Sequence, residues 1–384
     1  MSTETDLVEP ARQRSAAPGT SFDITPTDEQ RMLVEAVRAF ALKQVRPAAT
    51  AADTACSTPP QLLATAAELG LAALGVPEEY GGVFDTRATV SAALVAEALA
   101  EGDMSIALAC LAPAGVATVL GLWGDADQQA AYLPALAGET PPAAAIAIAE
   151  PRVIGDPFEL QTSARRTPEG DYILDGVKAL VPRASDAELL VVAAELAGAP
   201  SLFLVPSDTP GLSAVAEPAM GLRAAATGGL TLTDVKLPGS ALVGASNPQV
   251  YRELLALSRL GWCALAVGTA QAVLDYVADY VNQRVAFGEP ISNRQSVAFM
   301  VADIAIEVEA MRLATYRAAG LAETGREFIR EAALARALVG EHAMRIGSDG
   351  VQLLGGHGYT KEHPVERWYR DLRAAGMMEG ALAL

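Results

Sequence analysis

Two changes of period divide this chain. From about residue 25, apolar side chains recur at helical spacing, with Leu33, Val37 and Phe40 at i, i+4 and i+7. Near Pro141 that pattern gives way to apolar runs of strand length at 143–149, 172–174, 189–193, 202–205 and 230–233, parted by Gly, Pro and Asp. Helical periodicity returns at Tyr251 and continues toward the end. Each block has its own apolar face to bury, and 384 residues are too many for one small core. The pattern predicts an α+β fold: a disordered tail over 1–21, an N-terminal helical domain over 22–138, a small β-sheet domain over 139–247 and a C-terminal helical domain over 248–384.

The helices carry their own punctuation. Thr25 can cap the first, Pro26 suits its first position and Asp28 its first turn, and Pro47 is expected to end it. Further helices are expected over 60–69, 88–101 and 104–122. Later ones span from Tyr251 toward Arg284, then 296–319 and 328–354. Hydrophobic residues make up 51% and aromatics only 5%, an alanine- and leucine-rich balance that favours helix.

Charge and cysteine usage exclude several classes. A net charge of −18 leaves no basic face for a phosphate backbone or an anionic bilayer, so neither nucleic acid nor membrane is expected as partner. No apolar run is expected to reach the roughly 18 residues that span a bilayer. Cys56, Cys110 and Cys263 are widely spaced, which reads as free thiols in a reducing cytoplasm.

The densest chemistry lies in the last 33 residues. Gln352-Leu353-Leu354-Gly355-Gly356-His357-Gly358-Tyr359 follows an apolar helical stretch. Gly355 can be a helix C-cap, or the glycines can let backbone approach a ligand closely. Glu379 stands between two methionines, a glycine and Ala-Leu-Ala-Leu. A carboxylate in apolar surroundings has a raised pKa and can act as a base, whereas a carboxylate on a frayed end does nothing.

Taken together, Gln-x-x-Gly-Gly-x-Gly-Tyr, His363-Pro364-Val365-Glu366-Arg367, Tyr369-Arg370-Asp371 and Glu379-Gly380 resemble the C-terminal signature of acyl-CoA dehydrogenases. The resemblance runs from about Phe22 to Gly380. It includes Leu74-Gly75-Val76-Pro77-Glu78-Glu79-Tyr80-Gly81-Gly82, Gly221-Leu222-Arg223, Asp234-Val235-Lys236-Leu237-Pro238 and Arg284-Val285-Ala286-Phe287. It implies a four-helix-bundle C-terminal domain, FAD as cofactor, an acyl-CoA substrate, fatty-acyl oxidation, electron-transfer flavoprotein as electron acceptor and a dimer or tetramer. By resemblance Glu379 is the catalytic base and Arg259 the arginine beside it. Arg284, Phe287, Gln352, Gly355 and Gly356 grip the diphosphate and adenine end of a neighbour's FAD. Ser258 stands where some relatives place an alternative base. Relatives often continue further past the glutamate than the five residues found here, so this end is expected to hold Glu379 loosely if it frays.

The departures cluster where this chain would hold its own flavin ring. Thr-Glu-Pro-Gly-Ala-Gly-Ser-Asp in the family is here Ala149-Glu150-Pro151-Arg152-Val153-Ile154-Gly155-Asp156. Trp-Ile-Thr is Leu180-Val181-Pro182. Ala149 and Pro182 each lack the hydroxyl of the family's threonine, and the stacking aromatic is absent. Three activities follow as expectations: an FAD-dependent acyl-CoA dehydrogenase; a flavin-poor partner subunit that completes another chain's FAD site; or a relative acting on a carrier-protein thioester.

Overall fold

The computed structural model describes residues 25–84, 87–152 and 155–384. The tail assigned to 1–21 and the β-branched Ile154 lie outside the described residues. The first helix, α1 (Asp28–Phe40), is capped by Thr27 rather than Thr25. The Thr27 hydroxyl accepts from the Gln30 N–H, and the Gln30 side chain accepts from the Thr27 N–H. Pro47 does not end the helix. A widened i→i+5 turn, Ala41–Val45, leads into α2 (Arg46–Ala55), whose first turn holds Pro47. The wider turn makes room for a ring that would crowd a regular one.

Helices α3 (Pro60–Glu68), α4 (Thr89–Ala100), α5 (Met104–Trp123) and α6 (Ala126–Leu136) complete the first layer. Helix α5 corrects the expectation that no apolar run approaches bilayer length. It has 20 residues and no charged side chain, and α7, introduced below, is also long and apolar enough by the same measure. The apolar length of α5 serves the core, since 89% of its most apolar window is buried. Asp103 opens α5 by accepting from the Ser105 and Ile106 N–H groups.

Eight strands follow: β1 (Ala144–Ala147), β2 (Ser163–Arg166), β3 (Tyr172–Val181), β4 (Leu189–Leu196), β5 (Ala199–Pro206), β6 (Leu212–Ala216), β7 (Gly228–Leu237) and β8 (Leu242–Val243). They form one sheet in the order β6-β7-β3-β2-β4-β5-β8, with β1 added parallel to β4. The sheet has its own apolar core around Tyr172, Phe203, Val192 and Val235.

The second helical block is α7 (Pro248–Gln283), α8 (Gln295–Glu323), α9 (Ile329–Leu353) and α10 (Val365–Ala375). Helix α10 stitches the three blocks together. Arg367 donates to Asp103 at 2.9 Å, Arg370 donates to Asp53 at 2.9 and 3.0 Å, and Asp371 accepts from the Leu222 N–H at 2.7 Å. The chain does not fray beyond it. Met378, Ala381, Leu382, Ala383 and Leu384 are all buried, and Ala381 makes an antiparallel bridge to Ile146 of β1.

Candidate active site

Glu379 stands where the last residues meet α7, α9 and β1. Its carboxylate is ion-paired rather than isolated among methionines. Arg259 of α7 donates through Nε to Oε1 and Oε2 at 3.2 and 3.0 Å, and through Nη2 to Oε1 at 2.9 Å. Such a fork fixes both position and plane of a carboxylate. Arg336 of α9 is a second cation, 3.8 Å from Oε1, and donates to the Met378 carbonyl at 2.6 Å. Burial presses its guanidinium below the usual value, with the Glu379 charge opposing. Arg336 escapes sequence reasoning because one arginine on an exposed-looking helix pattern carries no mark of its partner.

The residue after the carboxylate is pinned. The Gly380 carbonyl accepts from Ser258 Oγ at 2.7 Å and from Trp262 Nε1 at 2.9 Å. Ser258, one residue from Arg259 on α7, therefore holds the loop. Gly380 has φ +74° and lies so close to β1 that a Cβ there would stand 2.7 Å from Ile148 Cβ.

Across from this loop, Glu150 gathers four donors. The Gln161 and Thr162 N–H groups each lie at 2.8 Å, Lys178 Nζ at 3.0 Å and Arg152 Nη2 at 2.9 Å. Burial alone would raise the Glu150 carboxyl, but the Thr162 N–H, the Lys178 charge and the remaining donors bring it to about 2. Lys178 is wholly buried, and burial pushes its ammonium down to about 8 against the pull of Glu150. Nζ also donates to the Ile148 carbonyl at 3.1 Å, tying β3 to the strand beneath Gly380. The sequence shows Lys178 only as one charge inside a strand and gives no sign of its burial.

Ala149 accepts through its carbonyl from the Ala179 N–H at 2.9 Å, and Pro182 is buried at the end of β3. Neither has a polar side chain to offer a flavin. Leu180 has φ +57°, and its N–H donates to Glu217 Oε2 at 2.7 Å. This side of the site therefore gives a flavin ring little to bind, and backbone at Gly380 and Ala381 rests directly on β1.

The other face is open. Arg284, Gln352, Gly355 and Gly356 line one depression of about 380 Å³ with Tyr280 and His357. Gly355 follows the C-cap Leu354 of α9 with φ +58°, the left-handed position that commonly ends a helix; Cβ atoms on Gly355 or Gly356 would meet nothing within 4 Å. Gly358 has a different role, since a Cβ there would stand 2.2 Å from the Val351 carbonyl. Tyr280 Oη lies 2.9 Å from His357 Nδ1. Phe287 stands apart from the depression, on a tight turn between Val285–Ala286 and Glu289–Pro290, with φ +56° and 95% exposure beneath the Arg294 guanidinium. A guanidinium, an amide and unobstructed backbone suit a diphosphate, so this face fits the cofactor end implied by the resemblance. Among the described residues no cluster of metal-ligating side chains occurs.

Comparison with known proteins agrees with these observations. Family profiles match over residues 27–140 (Acyl-CoA dehydrogenase, N-terminal domain), 145–235 (middle domain) and 249–383 (C-terminal domain). The short/branched chain specific acyl-CoA dehydrogenase of Bos taurus mitochondria is 35% identical over 93% of this chain and 83% of its own length. The structure of butyryl-CoA dehydrogenase from Megasphaera elsdenii superposes with a TM-score of 0.87 at 29% identity, covering 94% of this chain and 96% of that one. A glutaryl-CoA dehydrogenase from Mycobacterium smegmatis in complex with FADH2 gives 0.84 at 25% identity, covering 93% and 92%.

Proposed function

The chain belongs to the acyl-CoA dehydrogenase family, FAD-using oxidoreductases that act on CH–CH bonds, and from that premise we propose that it works in α,β-desaturation of an acyl-CoA thioester with Glu379 as the α-proton base. The observation that carries this reading is the two-oxygen grip of Arg259 on Glu379, in a loop pinned by Ser258 and Trp262. A base must be positioned before it can act, and this one is held from two helices. An ionised carboxylate offers about four lone-pair sites, so the Arg259 fork leaves capacity for one proton. FAD, when bound, supplies the hydride acceptor that no side chain can be. Arg284, Gln352, Gly355 and Gly356 would hold the diphosphate end of a neighbouring chain's cofactor. The electrons would pass to electron-transfer flavoprotein in the cytoplasm, from an assembly of at least two chains.

Replacing Glu379 by Gln tests the reading. The variant keeps the shape of the side chain and loses the proton acceptor. Turnover should fall by about 10²–10⁴-fold with flavin content unchanged. Turnover equal to that of the parent removes Glu379 from the mechanism.

A second reading has its own support. The Leu180 N–H is already used by Glu217, Ala149 and Pro182 offer no hydroxyl, and Gly380 rests against Ile148, while the outer face is open. These features favour a subunit that completes a partner's FAD site and holds little flavin itself.

A further inference from the structure

We propose that His357 is a further contact on the open face beside Arg284: protonated, it grips a nucleotide diphosphate, and the rings behind it hold the imidazole still while it takes up the proton. The proposal rests on the reading that this face receives the diphosphate end of a cofactor. The depression there is free of acid. Among the described residues that line it, Arg284 is the one fixed charge and none is a carboxylate, on a chain whose net charge is −18. A single guanidinium facing a diphosphate leaves one of its two negative charges without a counter-charge. His357 is the side chain on that lining of a type that gains charge near neutral pH.

The ring is held in a way that survives a change of charge. Tyr280 Oη lies 2.9 Å from His357 Nδ1. A phenol hydroxyl both donates and accepts. It donates to Nδ1 of the neutral ring and accepts from Nδ1–H of the charged one, so the contact is kept in either state. With Nδ1 so engaged, the neutral ring carries its hydrogen on Nε2, as does the charged ring. Among the described residues Nε2 of His357 has no partner, so that donor is left to a ligand. A second pair stands behind. Tyr276 Oη lies 2.6 Å from His363 Nδ1, and the two imidazole centroids are 5.6 Å apart. Tyr280 stands nearly perpendicular to both rings, and Trp368 of α10 closes the row against Tyr276, with the Arg46 guanidinium over its indole. Lys361 and Glu362, just before His363, are exposed and of opposite sign. Burial lifts the Tyr276 hydroxyl above its ordinary value, with Tyr280 adding to the rise, so that phenol stays neutral. Two imidazoles this close repel once both are charged. The pair therefore takes up a single proton, and a diphosphate beside His357 draws it to that ring. Affinity for the anion then rises as pH falls, with a proton taken from solvent on binding.

Two measurements test this with ADP-ribose as the probe. It carries adenosine and a diphosphate diester without a flavin ring, and the diester keeps both charges between about pH 5.5 and about pH 8. In the first, calorimetry on the full chain should give an affinity about tenfold higher at the lower pH. His357→Gln keeps a neutral donor, so the variant should match the parent at the higher pH and lose the gain at the lower. A parent with equal affinity at both overturns the proposal, as does a folded variant that keeps the parent's gain. The second measurement uses the unaltered protein, so it stands even if the variant fails to fold. The chain has three histidines, so three imidazole signals report by NMR. Saturating ADP-ribose should move the titration midpoint of one of them up by about one pH unit, the same tenfold seen as linkage. Three unmoved midpoints also overturn the proposal. Arg284→Gln separates the proposal from the reading beneath it, because that variant should weaken ADP-ribose at both pH values. If it does while the parent shows no gain at low pH, the diphosphate reading stands and the proposal falls. If the parent binds ADP-ribose at neither pH, both fall.

Discussion

At φ +74° Gly380 occupies left-handed backbone that side chains rarely adopt, with Ile148 pressed against the one face a Cβ would use. Both constraints act at once, so Gly380→Ala must shift either the loop or β1. We expect a loss of about 1–3 kcal/mol in stability, with the Glu379 carboxylate displaced from Arg259. Thermal unfolding should show a lowered Tm, and dehydrogenation should fall further than stability alone explains. A variant with parental Tm and turnover contradicts the strained-loop description. The sequence shows Glu379-Gly380 only as a motif and gives no sign of this need, because the clash lies with a residue 232 positions earlier (380 − 148).

Among the elements, the segment that follows β1 is joined to β3 by a charge pair that titrates. The Glu150 carboxyl moves from an ordinary 4.5 to about 2, held there by the Thr162 and Gln161 N–H groups and by Lys178. A folded value below the unfolded one contributes stability that is present above pH 4.5 and is lost as pH falls toward about 2. Acid unfolding should steepen across that window, and Glu150→Gln should flatten it; identical acid profiles for the two proteins contradict this assignment. The same elements show what the sequence could and could not tell. Strands with continuous apolar runs, such as β4 and β5, were legible by composition. Ser-Ala-Arg-Arg in β2 was not, because one buried Ala164 among exposed neighbours gives no period to read. Pro47 misled for a related reason: its ring breaks a regular helix, but a widened turn ahead of it lets the axis continue. Glu379, Arg259 and Arg284 were singled out through the family resemblance, and the structure pairs the first two. Arg336, Lys178 and Glu217 were not, since their partners lie far along the chain and carry no local signature.

At the scale of the whole molecule the two faces of the chain are unequal. One offers Arg284, Gln352, Gly355 and Gly356 outward, and the other offers a flavin ring no hydroxyl at Ala149 or Pro182. On the partner-subunit reading, the chain purified alone, mixed with FAD and gel-filtered should retain well under one flavin per chain by visible absorption, and co-expression with a related subunit bearing the missing threonines should restore it. Stoichiometric flavin on the isolated chain excludes the partner-subunit reading. Helix α7 then sets a rule for any assembly. Arg259 on the helix and Arg284 at its C-cap are 25 residues apart (284 − 259), roughly 38 Å along the axis at the usual rise. On the roles proposed for them, the base and the diphosphate grip of one chain would serve different cofactors, and a chain built on this rod would be a link whose two ends call for different neighbours.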